Sequence, residues 1–305
     1  CVWSLTRQPY PSQGVTMYSP TYAAPKTVDE AVGLLANASG SARVLSGGTD
    51  LIIQMRSGRV RPDLIVDIKK IEGSIGIREE ADGWHIGAAT PGAQVSEHKA
   101  LCAAWPGVTE AVDLIGSTQV QGRASFAGNL CNASPAADSV PALVAAGAQA
   151  VIVGKNGKRI IPVEQVPVSP GKTSLAPDEF VFEFIVPKVS GKTADAYLRF
   201  IPRTEMDIAV VGAGICVTLD GSGKCTAAKV SLGAVAPTVL VVDAAAKALI
   251  GSKLDDAALA KLDAAAQAAC KPIDDKRGTI EYRTKVAGVL ARRAAAIAFE
   301  RAAAR

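Results

Sequence analysis

The sequence predicts an α+β protein of two domains, and three observations carry the prediction. A chain of 305 residues is long enough for two hydrophobic cores. Up to about residue 188, short β-branched runs and hairpin turn signals are interspersed with short helical patterns. After the polar, glycine-containing stretch Val189–Thr193, long apolar strands are followed by Ala-rich helices. The domain boundary is therefore expected at 192/193. Residues 1–16 carry Pro9, Pro11 and Gly14 without periodicity, and are read as a disordered extension or a misplaced start.

The elements follow in order. Thr27 opens a helix through Leu35, with Glu30 three residues on to complete a capping box. Arg43–Ser46 reads as a strand entering a glycine loop, and Leu51–Arg56 as a short helix stopped by Gly58. Leu64–Ile68 is a buried strand. Ser74–Arg78 and Trp84–Ala88 flank Asp82-Gly83, a type I′ hairpin signal. Residues 94–114 are helical, interrupted at Trp105-Pro106-Gly107. A second glycine loop precedes an apolar helix, Ser139–Ala146. Ala150–Val153 and Arg159–Val163 form a hairpin about Asn156-Gly157, and Phe180–Val186 is a further strand. In the C-terminal part, Ile208–Leu219 and Lys229–Leu240 read as strands. Asp243–Ile250, Asp256–Ala269 and Glu281–Ala304 read as helices, the second capped by Asp255 or Asp256 and stopped by Pro272.

Composition narrows the function. Hydrophobic residues make up 49% and charged residues 20%, the balance of an ordinary globular protein. A net charge of +4 argues against nucleic acid as the main partner. The surplus sits in residues 271–305, as a solvated helix face or a docking surface for an acidic partner subunit. The six cysteines are scattered with no CxxC and no Cys/His pair at metal-site spacing, so neither zinc nor an iron–sulfur cluster is expected on this chain alone; His85 and His98, the only histidines, are read as structural or surface. Such cysteine usage suits a reducing cytoplasm. No apolar run is long enough to cross a membrane.

Chemistry concentrates in two loops, Ser46-Gly47-Gly48-Thr49-Asp50 and Ser125-Phe126-Ala127-Gly128-Asn129. Glycine lets the backbone approach a ligand closely, and successive bare N–H groups bind anions. Taken alone, Gly47-Gly48 is equally a plain strand–turn–helix corner; it is neither a GxGxxG nor a Walker loop. Two such loops about eighty residues apart point to one long diphosphate ligand gripped from two sides. Thr49 offers a hydroxyl donor. Asp50 either caps the following helix or holds a sugar hydroxyl, and Asp138 has the same two readings. No acid–base dyad is visible and no catalytic residue is assigned, so an organic cofactor is expected to carry the chemistry.

Ser46–Leu51, the long stretch Gly116–Val120 through Gly128-Asn129-Leu130-Cys131-Asn132-Ala133-Ser134-Pro135-Ala136-Ala137-Asp138, and Arg203–Gly212 resemble the medium, FAD-binding subunit of the xanthine dehydrogenase/carbon monoxide dehydrogenase family of molybdenum hydroxylases. The resemblance covers residues 17–298. It implies a two-lobed FAD-binding domain of the PCMH (vanillyl-alcohol-oxidase-like) type over 17–192, with subdomains of about 17–70 and 71–192, then a carbon monoxide dehydrogenase flavoprotein-like domain over 193–305. Ser46, Gly47, Gly48, Thr49 and Asp50 would cradle the FAD pyrophosphate. Ser125, Ala127, Gly128 and Asn129 would hold the phosphate and adenosine side, and Asp138 a cofactor hydroxyl. The resemblance further places Arg199 as a basic FAD contact, Ile115 and Ile208 beside the isoalloxazine, and Val181 as an apolar border. Two departures stand out: Gln121-Gly122 where the family commonly has Arg-Asn, and Ala127-Gly128 where it has Gly-Gly. The implied role is an electron relay from the [2Fe–2S] clusters of a small partner subunit to an external acceptor, beside a large molybdopterin-binding subunit, in a dimer of heterotrimers. The competing readings are a free-standing flavin oxidase, for which Cys131 is the nearest covalent candidate, and a scaffold homologue that has lost FAD.

Overall fold

The structure, a computed structural model, describes residues 18–305; the extension expected over residues 1–16 lies outside the described residues. The first lobe is a three-stranded parallel sheet of β1 (Thr21–Ala23), β2 (Ala42–Leu45) and β3 (Leu64–Asp67), in the order β1-β3-β2. Helix α1 (Val28–Ala36) connects β1 to β2, and α2 (Leu51–Arg56) leads from β2 towards β3. Thr27 caps α1 by accepting the Glu30 N–H at 3.1 Å. The Glu30 carboxylate reaches back to the Lys26 N–H at 2.7 Å, one residue beyond the partner a capping box would use.

The second lobe is a five-stranded antiparallel sheet. It contains β4 (Ile77–Glu79), β5 (Gly83–Gly87), β6 (Gln149–Gly154), β7 (Gly157–Pro162) and β10 (Phe180–Pro187), in the order β4-β5-β10-β6-β7. A small ribbon, β8 (Pro167–Ser169) with β9 (Lys172–Thr173), precedes β10. Both hairpin tips lie one residue earlier than the sequence suggests. The Glu80 N–H bonds the Gly83 carbonyl and Gly154 pairs with Gly157, so Ala81-Asp82 and Lys155-Asn156 form the tips and each glycine opens the returning strand. Six short helices lie between β5 and β6 in the chain: α3 (Gly92–Glu97), α4 (Lys99–Ala104), α5 (Pro106–Asp113), α6 (Thr118–Gln121), α7 (Phe126–Cys131) and α8 (Ser139–Ala145). One hydrophobic core, with Val66, Ile86, Val108, Phe126, Leu143 and Phe184 fully buried, joins both lobes.

The C-terminal part is a four-stranded antiparallel sheet: β11 (Lys192–Phe200), β12 (Val211–Leu219), β13 (Cys225–Gly233) and β14 (Leu240–Val241). Helices α9 (Asp243–Leu249), α10 (Asp256–Ala269) and α11 (Ile280–Ala303) close a second core with it. Asp255 caps α10 through the Ala258 N–H at 2.9 Å. Three corrections arise here. Strand β11 was not foreseen, because the charged Asp195, buried between Ala194 and Ala196, breaks the apolar pattern. The expected strand from Ile208 begins only at Val211, since Asp207 is drawn into ion pairs with Arg203 and Arg277. The expected strand Lys229–Leu240 is β13, starting earlier at Cys225 and ending where Ala234 turns to a φ of +64°.

The face of β11 opposite the second core docks onto the first. The buried Asp195 carboxylate accepts the Gly107 and Val108 N–H groups at 3.0 and 2.9 Å, capping α5 from across the junction. Arg301 of α11 adds bonds to the Asp195 carbonyl and to Glu110. Burial raises the Asp195 carboxyl to about 7 against those stabilising N–H bonds. Of the two histidines, His98 caps α4 through Nδ1 at 3.2 Å from the Leu101 N–H, and His85 is buried in β5.

Candidate functional site

The two glycine loops meet. The buried Ser46 and Ser125 hydroxyls lie 2.7 Å apart, and Ser46 also donates to the Ala88 carbonyl at 2.9 Å. Backbone packs directly on backbone here: a Cβ added to Gly47 would sit 2.0 Å from the Arg123 carbonyl oxygen, so only glycine allows the approach. At the other end of the contact, Gln54 of α2 donates to Asn132 at 2.8 Å. Between these ties opens a cleft. Ser46 to Leu51 form one wall, Ser125, Ala127 and Gly128 a second, and Phe180 and Val181 of β10 close it.

The first loop leaves its donors free beside this cleft. Lys69 Nζ, paired with Asp67 at 2.7 Å, bonds the Ser46 carbonyl at 2.9 Å. Because a trans peptide points its C=O and N–H in opposite directions, the Gly47 N–H faces away from Lys69. Gly48 then takes φ +80°, the left-handed turn that brings successive amides to one side. Among the described residues, the N–H groups of Gly47, Gly48, Thr49, Asp50 and Leu51 have no protein acceptor. The same holds for Phe126 and Ala127 at the start of α7, where Ser125 caps the Gly128 N–H at 3.2 Å. No lysine or arginine lines the cleft, and of its two carboxylates Glu179 is neutralised by Arg159 at 2.7 Å. An anion here would be held by backbone dipoles.

Ala127 does not block this arrangement. It sits in the first turn of α7 with an ordinary negative φ, 5% exposed and within the core cluster. Asp50 stands at the N-cap of α2 but makes no cap bond, which removes one of its two readings; partial desolvation raises its carboxyl. Burial pushes the Cys131 thiol up to about 12, away from the thiolate form that reacts.

The remaining candidates lie beyond the cleft lining. Asn129 accepts the Ser139 N–H and hydroxyl at 3.1 and 2.7 Å, tying α7 to the start of α8. Asp138 makes no cap bond either. It pairs with Arg199 of β11 at 3.0 Å and accepts from the Tyr197 hydroxyl at 3.3 Å. Burial raises the Asp138 carboxyl to about 6, partly offset by the Arg199 guanidinium. Arg199 also donates to the Leu114 carbonyl, next to Ile115, which is 9% exposed in the core. Ile208, 53% exposed, lies on the loop between β11 and β12. Sequence reasoning missed Lys69, Gln54 and Asn132. Asn132 lay inside the quoted motif; no local pattern marked Lys69 or Gln54, whose roles exist only through contacts made across the fold.

Comparison with known proteins agrees with this geometry. The family described as the FAD binding domain in molybdopterin dehydrogenase matches residues 16–189, and the CO dehydrogenase flavoprotein C-terminal domain matches residues 196–298. The carbon monoxide dehydrogenase medium chain of Afipia carboxidovorans is 35% identical over 273 residues, covering 90% of this chain and 94% of that protein. The nicotinate dehydrogenase FAD-subunit of Eubacterium barkeri is 30% identical, covering 76% of this chain and 80% of that protein. Among solved structures, reconstituted CO dehydrogenase from Oligotropha carboxidovorans superposes with a TM-score of 0.88 at 34% identity, over 93% of this chain and 98% of that one. The chain belongs to the FAD-binding subunits of the molybdopterin-dependent dehydrogenases: it is an oxidoreductase component, and its cofactor is FAD.

Proposed function

We propose that this chain is the electron-transfer subunit of a molybdenum hydroxylase. In this reading it takes electrons from [2Fe–2S] clusters on a small partner subunit and passes them to an external acceptor, while a large molybdopterin-binding subunit oxidises the substrate. The observation that carries the reading is the pair of backbone loops facing one cleft with their amides free. Bound FAD supplies reversible electron exchange; the protein supplies binding, orientation and electrostatics.

Each part of the site has a role in this scheme. The amides of Gly47 to Leu51 and of Phe126 and Ala127 meet the diphosphate, with Thr49 adding its hydroxyl. Asp50, free of any cap bond, accepts from a sugar hydroxyl. Val181 forms an apolar wall. The chain of contacts from the Ser125 carbonyl through Asn129 to Ser139, with Asp138 and Arg199 beside it, links the cleft to the junction of the two cores, where Ile115 and Ile208 flank the flavin ring. The domain division at 192/193, a cytoplasmic location and a dimer of heterotrimers complete the proposal.

The test is purification with associated chains. A yellow complex with one FAD per copy of this chain, a large molybdopterin-binding chain and a small iron–sulfur chain is expected. Substrate should bleach the flavin only in the assembled complex. Flavin reduction by substrate in the isolated chain, or a colourless chain that takes up no added FAD, would overturn the reading.

A further inference from the structure

The tip of the β4–β5 hairpin holds a group of side chains that the flavin function does not use. Glu80, Asp82 and His85 bring two carboxylate oxygens and an imidazole nitrogen within 4.8 Å of one another, the one such group of three among the described residues. His85 Nε2 lies 2.9 Å from Asp82 Oδ1 and 3.7 Å from Glu80 Oε2. The opposite ring nitrogen is a second, independent observation. His85 is only 7% exposed, and its buried Nδ1 has no hydrogen-bond partner. The nearest polar group to it is another carboxylate, Glu183 Oε2, at 3.5 Å. Glu183 is itself held by Arg78 at 2.8 Å, with Lys158 at 3.8 Å, so its position is fixed from the other side.

A neutral ring cannot satisfy both faces. With the proton on Nε2, the Nδ1 lone pair faces Glu183; with the proton on Nδ1, the Nε2 lone pair faces Asp82 and Glu80. A cation between Nε2 and the two carboxylates resolves the conflict. A cation at Nε2 fixes the Nδ1–H tautomer and directs it at Glu183, the carboxylate–histidine–metal arrangement that orients ligating imidazoles.

We propose that Glu80, Asp82 and His85 form a divalent transition-metal site, with Glu183 as the group that positions the histidine ring. One imidazole and two carboxylates suit zinc and its neighbours better than the all-oxygen shells of magnesium or calcium. Glu80 and Asp82 are exposed, their side chains retaining 46% and 62% of their accessibility; Glu80 is paired with Arg78 Nε at 3.2 Å and turns from it to close on an ion, while water fills the remaining positions. The buried histidine supplies the fixed point.

The test is titration of the full, FAD-loaded chain with zinc, and with cobalt as a visible-absorption probe, against magnesium as the control. One equivalent of zinc should bind, with magnesium at least a hundredfold weaker. Glu80→Gln and Asp82→Asn, both at exposed positions that leave the fold intact, should each weaken binding at least tenfold. Glu183→Gln should weaken it about tenfold through the ring. FAD content should stay unchanged in all three, which separates this site from the flavin reading. Absence of zinc binding at millimolar concentration, or binding that survives the Glu80→Gln/Asp82→Asn double variant unchanged, overturns the proposal and leaves the cluster as a hydrogen-bonded histidine–carboxylate network.

Discussion

Replacing Gly47 by alanine tests whether the two loops must touch for FAD to bind. The new Cβ would lie 2.0 Å from the Arg123 carbonyl oxygen, 2.8 Å from its carbon and 3.1 Å from the Ala124 Cα. All three are backbone atoms, so no rotamer change relieves the overlap; the loops must part by about 1 Å or more to restore ordinary contact. Overpacking of this kind costs about 1–3 kcal/mol. The same movement stretches the 2.7 Å Ser46–Ser125 contact beyond hydrogen-bonding range, losing about 1 kcal/mol more. Because the cleft exists only while the loops are apposed, about 2–4 kcal/mol should appear as FAD affinity weakened by about 30- to 1,000-fold. Quenching of flavin fluorescence on titrating FAD with the apoprotein measures this, with circular dichroism to confirm the fold. Gly33→Ala is the control: it lies mid-helix in α1, where an added Cβ meets nothing within 4 Å. That variant should bind FAD normally and gain about 0.5–1 kcal/mol of stability. Binding by Gly47→Ala within threefold of the unaltered chain would refute the reasoning.

Ser125→Ala removes both the cap of α7 and the partner of Ser46; a stability loss of about 1–2 kcal/mol is expected by urea denaturation, together with weaker FAD binding. Arg199→Met leaves the buried Asp138 without its cation and should cost about 3 kcal/mol, largely recovered in the Arg199→Met/Asp138→Asn double variant; equal losses in the single and double variants would count against the pair. Asp195 gives a pH signature. Its carboxyl stands at about 7 in the folded chain against 3.8 as a free side chain. The folded state therefore holds the proton more tightly. The contribution is most favourable below about pH 4 and is lost as pH rises towards 7, by at most about 4 kcal/mol. Denaturation at pH 5 and pH 8 should show Asp195→Asn with a smaller fall in stability than the unaltered chain; parallel falls would sink this account.

Much of this protein was legible in its sequence because the relevant signals are local. The strand Arg43–Leu45, Gly47-Gly48 and the helix that follows are contiguous, and the left-handed φ of Gly48 is a demand that the residue type itself announces. The stretch from Ser125 to Asp138 is likewise one continuous motif, and the caps at Thr27 and Asp255 follow from a side chain and an amide three residues apart. What the sequence could not place are interactions whose partners are remote. Lys69 orients the Ser46 carbonyl from 23 residues away, and Gln54 meets Asn132 across 78. Asp195, unreadable as part of a strand, earns its position by capping a helix 87 residues earlier. Asp138 was open between a cap and a hydroxyl acceptor until packing brought Arg199 to it and left the cap unmade. Sequence determined which backbone conformations the loops could adopt; only tertiary structure decided which loops meet, because burying charges and amides is permitted solely where another segment arrives to satisfy them.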